Sequence, residues 1–293
     1  MFDFLMPASE LLRSEPAFFV TLSVVFGLLV GSFLNVVIHR LPIMMEHAEK
    51  SYVTESYGVV PEGAPIPIKY NIVTPRSACP NCGHSITALE NIPVISYLML
   101  GGKCKGCKAK ISVRYPLIET LTGALIGGVA YQFGYTHSAL FAFILVFALV
   151  VLTFIDLDTQ LLPDDITLPL LWLGLIFNFN GGFTDLKSAV LGAIFGYLIL
   201  WSIYWLFKLV TGKEGMGYGD FKLLAAIGAW FGWSMLPAVI LLSSVMGALI
   251  GIGLMIFQGK GRSTAIPFGP FLALGGIAAL FFGQQMLPMF SNL

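Results

Sequence analysis

Apolar residues fall along the chain in eight long stretches, separated by short polar segments and by one long polar interruption. A membrane-spanning helix needs roughly 20 mostly apolar residues. On that measure the pattern predicts helices over about 17–38, 116–133, 138–155, 166–180, 188–208, 222–236, 238–257 and 266–288, the fourth and sixth being short for a span. Pro237 separates the sixth from the seventh. A single helix kinked there would give seven spans and put the C-terminus on the other side. The interval 39–115 differs in kind. It is polar, rich in Pro and Gly, and at about 75 residues too small for a large core of its own, so a staple is expected. The predicted organisation is an N-terminal segment with the first span (1–38), a polar insertion (39–115) and a helical membrane core (116–293).

Composition sharpens this reading. The chain of 293 residues is 57% hydrophobic and only 11% charged, against about 25% charged in soluble domains. So few charges cannot cover a water-facing surface of this size, and the bilayer must be the main solvent. The predicted class is an all-α polytopic membrane protein of about eight spans with a small cytoplasmic insertion. Asp3, Glu10 and Glu15 outweigh Arg13 before the first span, the wrong sign for a cleavable leader. Net charge is zero and nothing suggests a nucleic-acid partner. The distribution of charge is more informative. The insertion holds nine of the sixteen Lys and Arg residues, and the loops near 209–221 and 258–265, with Lys208 and Lys222 at their edges, bring the total to fourteen. Cytoplasmic loops carry the basic excess. The insertion and the loops near 156–165, 209–221 and 258–265 are therefore expected in the cytoplasm, and both termini outside.

All four cysteines lie in the insertion, as Cys79-Pro-Asn-Cys82 and Cys104-Lys-Gly-Cys107. Each pair lets a tight turn aim two thiolates at one point, and two such turns build a tetrahedral four-sulfur site that suits zinc. Two disulfides are the competing arrangement, disfavoured in a reducing cytoplasm. His84 is expected to be an ordinary loop histidine.

Acidic side chains in or beside spanning helices mark function by default. Asp156 ends an apolar run of eighteen residues, and Asp220 follows glycines at 215, 217 and 219. Alternate glycines form helix poorly and let another backbone approach. Asp164 and Asp165 read more simply as helix caps, Asp158 as a solvated loop residue, and a cap would also explain Asp220. Two carboxylates brought together share a proton. The ionised one takes a proton from water; the protonated one hydrogen-bonds a scissile carbonyl. Neither serine, thiol nor metal is needed, and the chain has no G-x-S-x-G or H-E-x-x-H motif.

Several segments together resemble the bacterial type IV prepilin peptidases, within the wider group of G-x-G-D aspartyl membrane proteases: residues 31–42, the two cysteine pairs, residues 114–119, Asp156 through Pro169, Gly217-Tyr-Gly-Asp220, and residues 267–276. The resemblance implies that Asp156 and Asp220 are the catalytic pair. It implies prepilin and type II secretion pseudopilin substrates, cleaved after a leader glycine on the cytoplasmic side of the inner membrane. It further implies N-methylation of the new terminus from S-adenosylmethionine. The residues themselves say little about the methyl donor, and no Rossmann-type glycine fingerprint is present. Asn35 and Glu119 are candidates for that site. Asn35 can instead be an interhelical hydrogen bond, Gly31 and Ser32 packing positions, and Glu119 a buried partner of Arg114 or Arg40. The alternative to an enzyme is a transporter or channel with intramembrane carboxylates and a zinc module.

Overall fold

A computed structural model describes residues 6–58, 70–258 and 266–290. Among these residues the structure is all α, with only two isolated strand bridges, Ala78–Ser85 and Lys103–Lys110. The helices are α1 (Met6–Ser14), α2 (Pro16–Tyr57), α3 (Ile95–Met99), α4 (Arg114–Phe133), α5 (His137–Thr159), α6 (Asp164–Phe179), α7 (Leu186–Thr211), α8 (Tyr218–Phe231), α9 (Leu236–Gln258) and α10 (Gly269–Phe290). Each of the eight predicted segments falls on one of them. Five stretches, on α2, α5, α7, α9 and α10, are long and apolar enough to cross a membrane. The polar loop between α9 and α10 lies outside the described residues. The chain divides into two compact units, Met1–Tyr135 and Thr136–Leu293.

In the first unit, α2 does not stop near residue 38. It begins with Pro16 at its first position, where a missing N–H is harmless, and runs 42 residues to Gly58, whose φ of 64° lets its N–H turn back to Thr54. The fall in hydropathy after residue 38 marks the expected exit from lipid, not the end of the helix. Residues 43–57 contain no Gly or Pro, and Lys50 pairs with Glu46 one turn away at 2.7 Å. α2 packs on α4 through small residues. A side chain at Gly27 would meet the Gly123 backbone at 2.9 Å, and one at Gly31 the Glu119 backbone at 2.9 Å. Such contacts let two membrane helices approach closely.

The second unit is arranged around α8, whose residues from Asp220 to Phe231 are buried apart from the half-buried Lys222. Helices α6, α7 and α10 all pack on it, and α10 also packs on α5 and α9. The α8 C-terminus is tied down by polar side chains. Asn178 donates to the carbonyls of Ala229 and Trp230 at 2.8 and 2.9 Å, and the Trp230 indole donates to Leu170 at 2.9 Å. Two helices, not one, occupy the stretch around Pro237. The break lies earlier, at Gly232 with φ 83°, and a short 3-10 turn over Trp233–Met235 leads into α9. Pro237 sits in the first turn of α9, where proline is tolerated.

Candidate active site and metal site

Asp156 lies in the last turn of α5 and Asp220 in the first turn of α8; they are 4% and 6% exposed. The two are close enough for the charge of one to act on the other. Asp156 Oδ2 accepts the backbone N–H of Gly269 at 2.9 Å. Asp220 Oδ2 reaches back to the N–H of Gly217 at 3.3 Å, so it does cap its own helix. Its other oxygen, Oδ1, is buried with no hydrogen-bond partner among the described residues. A cap alone leaves no reason to bury that second oxygen, since an unsatisfied polar atom costs free energy.

Glycines frame the pair. A side chain at Gly269 would lie 2.6 Å from Asp156 Oδ2, and one at Gly219 would meet Leu162 at 2.7 Å. At Gly217 a side chain would make only ordinary contacts, with the Gly219 nitrogen at 3.9 Å and the Asp220 carboxylate at 4.0 Å. Gly269 was not among the expected site residues. Its segment carried the resemblance, but hydropathy cannot show a contact 113 residues away in sequence. The other acids separate from the pair. Asp164 is not a cap, since Pro163 holds that position; it binds Lys222 of α8 through both oxygens at 2.7 Å. Asp165 and Asp158 are exposed, the latter in the last turn of α5.

The four cysteines converge as their spacing predicts. Their sulfurs all lie within 4.8 Å of one another, with Cys79–Cys107 at 3.8 Å and Cys82–Cys104 at 3.9 Å. Four sulfurs about 2.3 Å from a tetrahedral zinc sit roughly 3.8 Å apart, so the donor set fits; a disulfide needs about 2.05 Å. Each pair sits in the same kind of turn. Cys79 N–H donates to His84 and Gly83 N–H to Cys79; Cys104 N–H donates to Ala109 and Lys108 N–H to Cys104. The residue after each pair, Gly83 or Lys108, has positive φ. The Ala109 N–H holds the Cys107 thiol down at about 6. Against the N–H of His84, the neighbouring thiols push Cys82 up to about 11. Four thiolates so close cannot all be charged without a cation between them. His84 is no ligand here; its ring meets Glu90 at 3.2 Å. Glu90 also accepts from the Thr87 N–H at 3.0 Å and pairs with Lys105 at 3.3 Å. Led by the Thr87 N–H, these contacts lower its carboxyl to about 2.

Between α2 and α4, Asn35 donates to the carbonyls of Gly31 and Tyr115 at 3.2 and 3.3 Å, making the interhelical bond that was its simpler expectation. Gly31 is likewise a packing position. Glu119 does not pair with Arg40, whose guanidinium donates to the carbonyls of Asn71, Ile72 and Pro75. Glu119 accepts the Val94 N–H at 2.8 Å.

A helical membrane protein with a buried acid pair in one unit and a four-thiol module in the other is a narrow class. The family model for the Bacterial Peptidase A24 N-terminal domain matches residues 25–133, and that for the Type IV leader peptidase family matches residues 143–252. The chain is 55% identical over 281 residues, 96% of each chain, to a Pseudomonas aeruginosa protein named prepilin leader peptidase/N-methyltransferase. Relatives with the same name are 55% identical in Aeromonas hydrophila (94% of this chain, 95% of the relative) and 53% identical in Burkholderia pseudomallei (89% and 84%). No solved structure matches. The chain belongs to the type IV leader peptidase family.

Proposed function

We propose that this chain is a bifunctional membrane enzyme that removes the leader from prepilins and pseudopilins and then methylates the new N-terminus. The observation that carries the peptidase half is the buried pair Asp156 and Asp220, each held by one glycine N–H, with Asp220 Oδ1 left without a partner among the described residues. One carboxylate takes a proton from the attacking water. The other, protonated, donates to the scissile carbonyl and stabilises the oxyanion that forms. Nothing lies nearer than 3.9 Å to a side-chain position at Gly217, which fits the close approach of a peptide backbone beside Asp220. The names of the relatives and the apolar helices support an inner-membrane enzyme. The basic loops support an insertion and acid pair on the cytoplasmic side with an external N-terminus.

The insertion 39–115 is read as a methyl-transfer module stapled by zinc on Cys79, Cys82, Cys104 and Cys107, and the peptidase chemistry as lying within 116–293. The cation would neutralise the thiolates and hold two loops that share little apolar core. S-adenosylmethionine supplies a methyl carbon to an amine. The nitrogen lone pair forms the new bond, sulfur keeps the C–S electron pair, and the amine proton leaves to water.

The test is cleavage of a defined prepilin by Asp156→Asn and Asp220→Asn in the purified enzyme. Each should lose activity on the order of 1,000-fold or more, while both still methylate a pre-cleaved pilin. Persistent cleavage in both variants would overturn the assignment.

A further inference from the structure

The first unit carries a half-open cavity of about 710 Å³, within the range of roughly 300–1,000 Å³ usual for small-molecule sites. It is lined on one side by the buried Ser32, Asn35 and Glu119 of α2 and α4, and also by residues of the cysteine module, among them Cys79 and Cys104. Two carboxylates line it. Glu90 is committed to His84, Thr87 and Lys105. Glu119 is 8% exposed, and no cationic side chain among the described residues forms an ion pair with it. A buried carboxylate without a positive partner is costly, and a cationic ligand would remove that cost.

A second observation points to the same spot. Val94 has φ 60° and ψ −48°, an outlier for a β-branched residue. That conformation turns its N–H onto Glu119 at 2.8 Å. Backbone held in such a region suggests function when the surroundings over-determine it, and here it fixes one carboxylate in the cavity wall. Tyr70, Tyr97 and Tyr115 also line the cavity and offer ring faces on which a purine can stack.

We propose that S-adenosylmethionine binds in this cavity with its sulfonium facing Glu119 and its adenosine among the tyrosines. The assignment rests on the methyl-transfer reading above and adds where the donor binds. Glu119 then offsets the positive charge of the donor, and Asn35 and Ser32 position the helix turns beside it.

Calorimetric titration of the full chain in nanodiscs tests this, with S-adenosylmethionine and with S-adenosylhomocysteine, whose sulfur is neutral. Glu119→Gln keeps an acceptor for the Val94 N–H but removes the charge. It should weaken S-adenosylmethionine at least tenfold and S-adenosylhomocysteine less than threefold. Tyr115→Ala, at an exposed position, should weaken both alike. Equal losses for both ligands in Glu119→Gln would make Glu119 a loop anchor and overturn the charge assignment. Wild-type affinity in both variants would put the donor elsewhere and leave the methyltransferase reading standing. If the wild-type chain binds neither ligand, that reading falls, and the proposal with it. Unfolding temperatures of the variants separate lost affinity from lost fold.

Discussion

The two units hold their chemistry by different means. In the second, the acid pair rides on helices, and one of them, α8, is buried along nearly its whole length. In the first, the cysteines sit on short loops joined by backbone turns and thiols, with little helix between residues 70 and 113. One unit places its chemistry on packed helices; the other brings four thiols within 4.8 Å of one another on loops, a set that could hold a metal ion. They share one device. Asp156, Asp220 and Glu119 each accept one backbone N–H, from Gly269, Gly217 and Val94. A single backbone donor fixes a carboxylate oxygen while leaving the rest of the group for something else.

The strongest way to break this comparison is a crossed experiment. Cys79→Ser should release the metal, loosen the insertion and abolish methyl transfer, while cleavage stays within about threefold of wild type. Asp220→Asn should do the reverse, and metal analysis with the two assays reads both sides. If Cys79→Ser also abolishes cleavage, the two units are not independent. Next in size is Gly269→Ala. Its methyl group would displace the Asp156 carboxylate, and a shift near 1 Å can cost about 100-fold; cleavage should fall by that order with the unfolding temperature nearly unchanged.

A smaller effect is expected at Glu90→Gln. Because the Glu90 carboxyl is lowered to about 2 from an ordinary 4.5, its stabilising contribution is complete above about 4.5 and is lost as pH falls toward 2. The variant should therefore give up metal to a chelator faster at pH 7. The difference in unfolding temperature between variant and wild type should close as pH drops through that window. The smallest is Lys222→Met, which removes a partly exposed ion pair to Asp164. Such pairs contribute roughly 0.5 kcal/mol, so stability should barely move, and cleavage kinetics report whether the α6–α8 link helps to place Asp220.

Hydropathy alone located all eight long helices, because lipid demands long apolar runs with internally satisfied backbones. It misjudged where α2 ends because it reports the solvent around a helix, not the helix itself. It put the α8–α9 break at Pro237, whereas the left-handed φ of Gly232 makes it. The cysteine cluster was legible because its spacing is local and its chemistry narrow. The acids stood out because they interrupt apolar runs. Their partners were not legible: Gly269 and Val94 act through backbone N–H groups distant in sequence, and no side-chain pattern records that.

The unbroken length of α2 has a mechanical corollary. At 1.5 Å per residue its 42 residues extend about 63 Å, roughly twice the hydrocarbon thickness of a bilayer. Half of it therefore stands in water as a stiff mast. Where lipid is thinner and the embedded half leans, the upper half must lean too, or give way at Pro42, where one rung of the backbone ladder is missing.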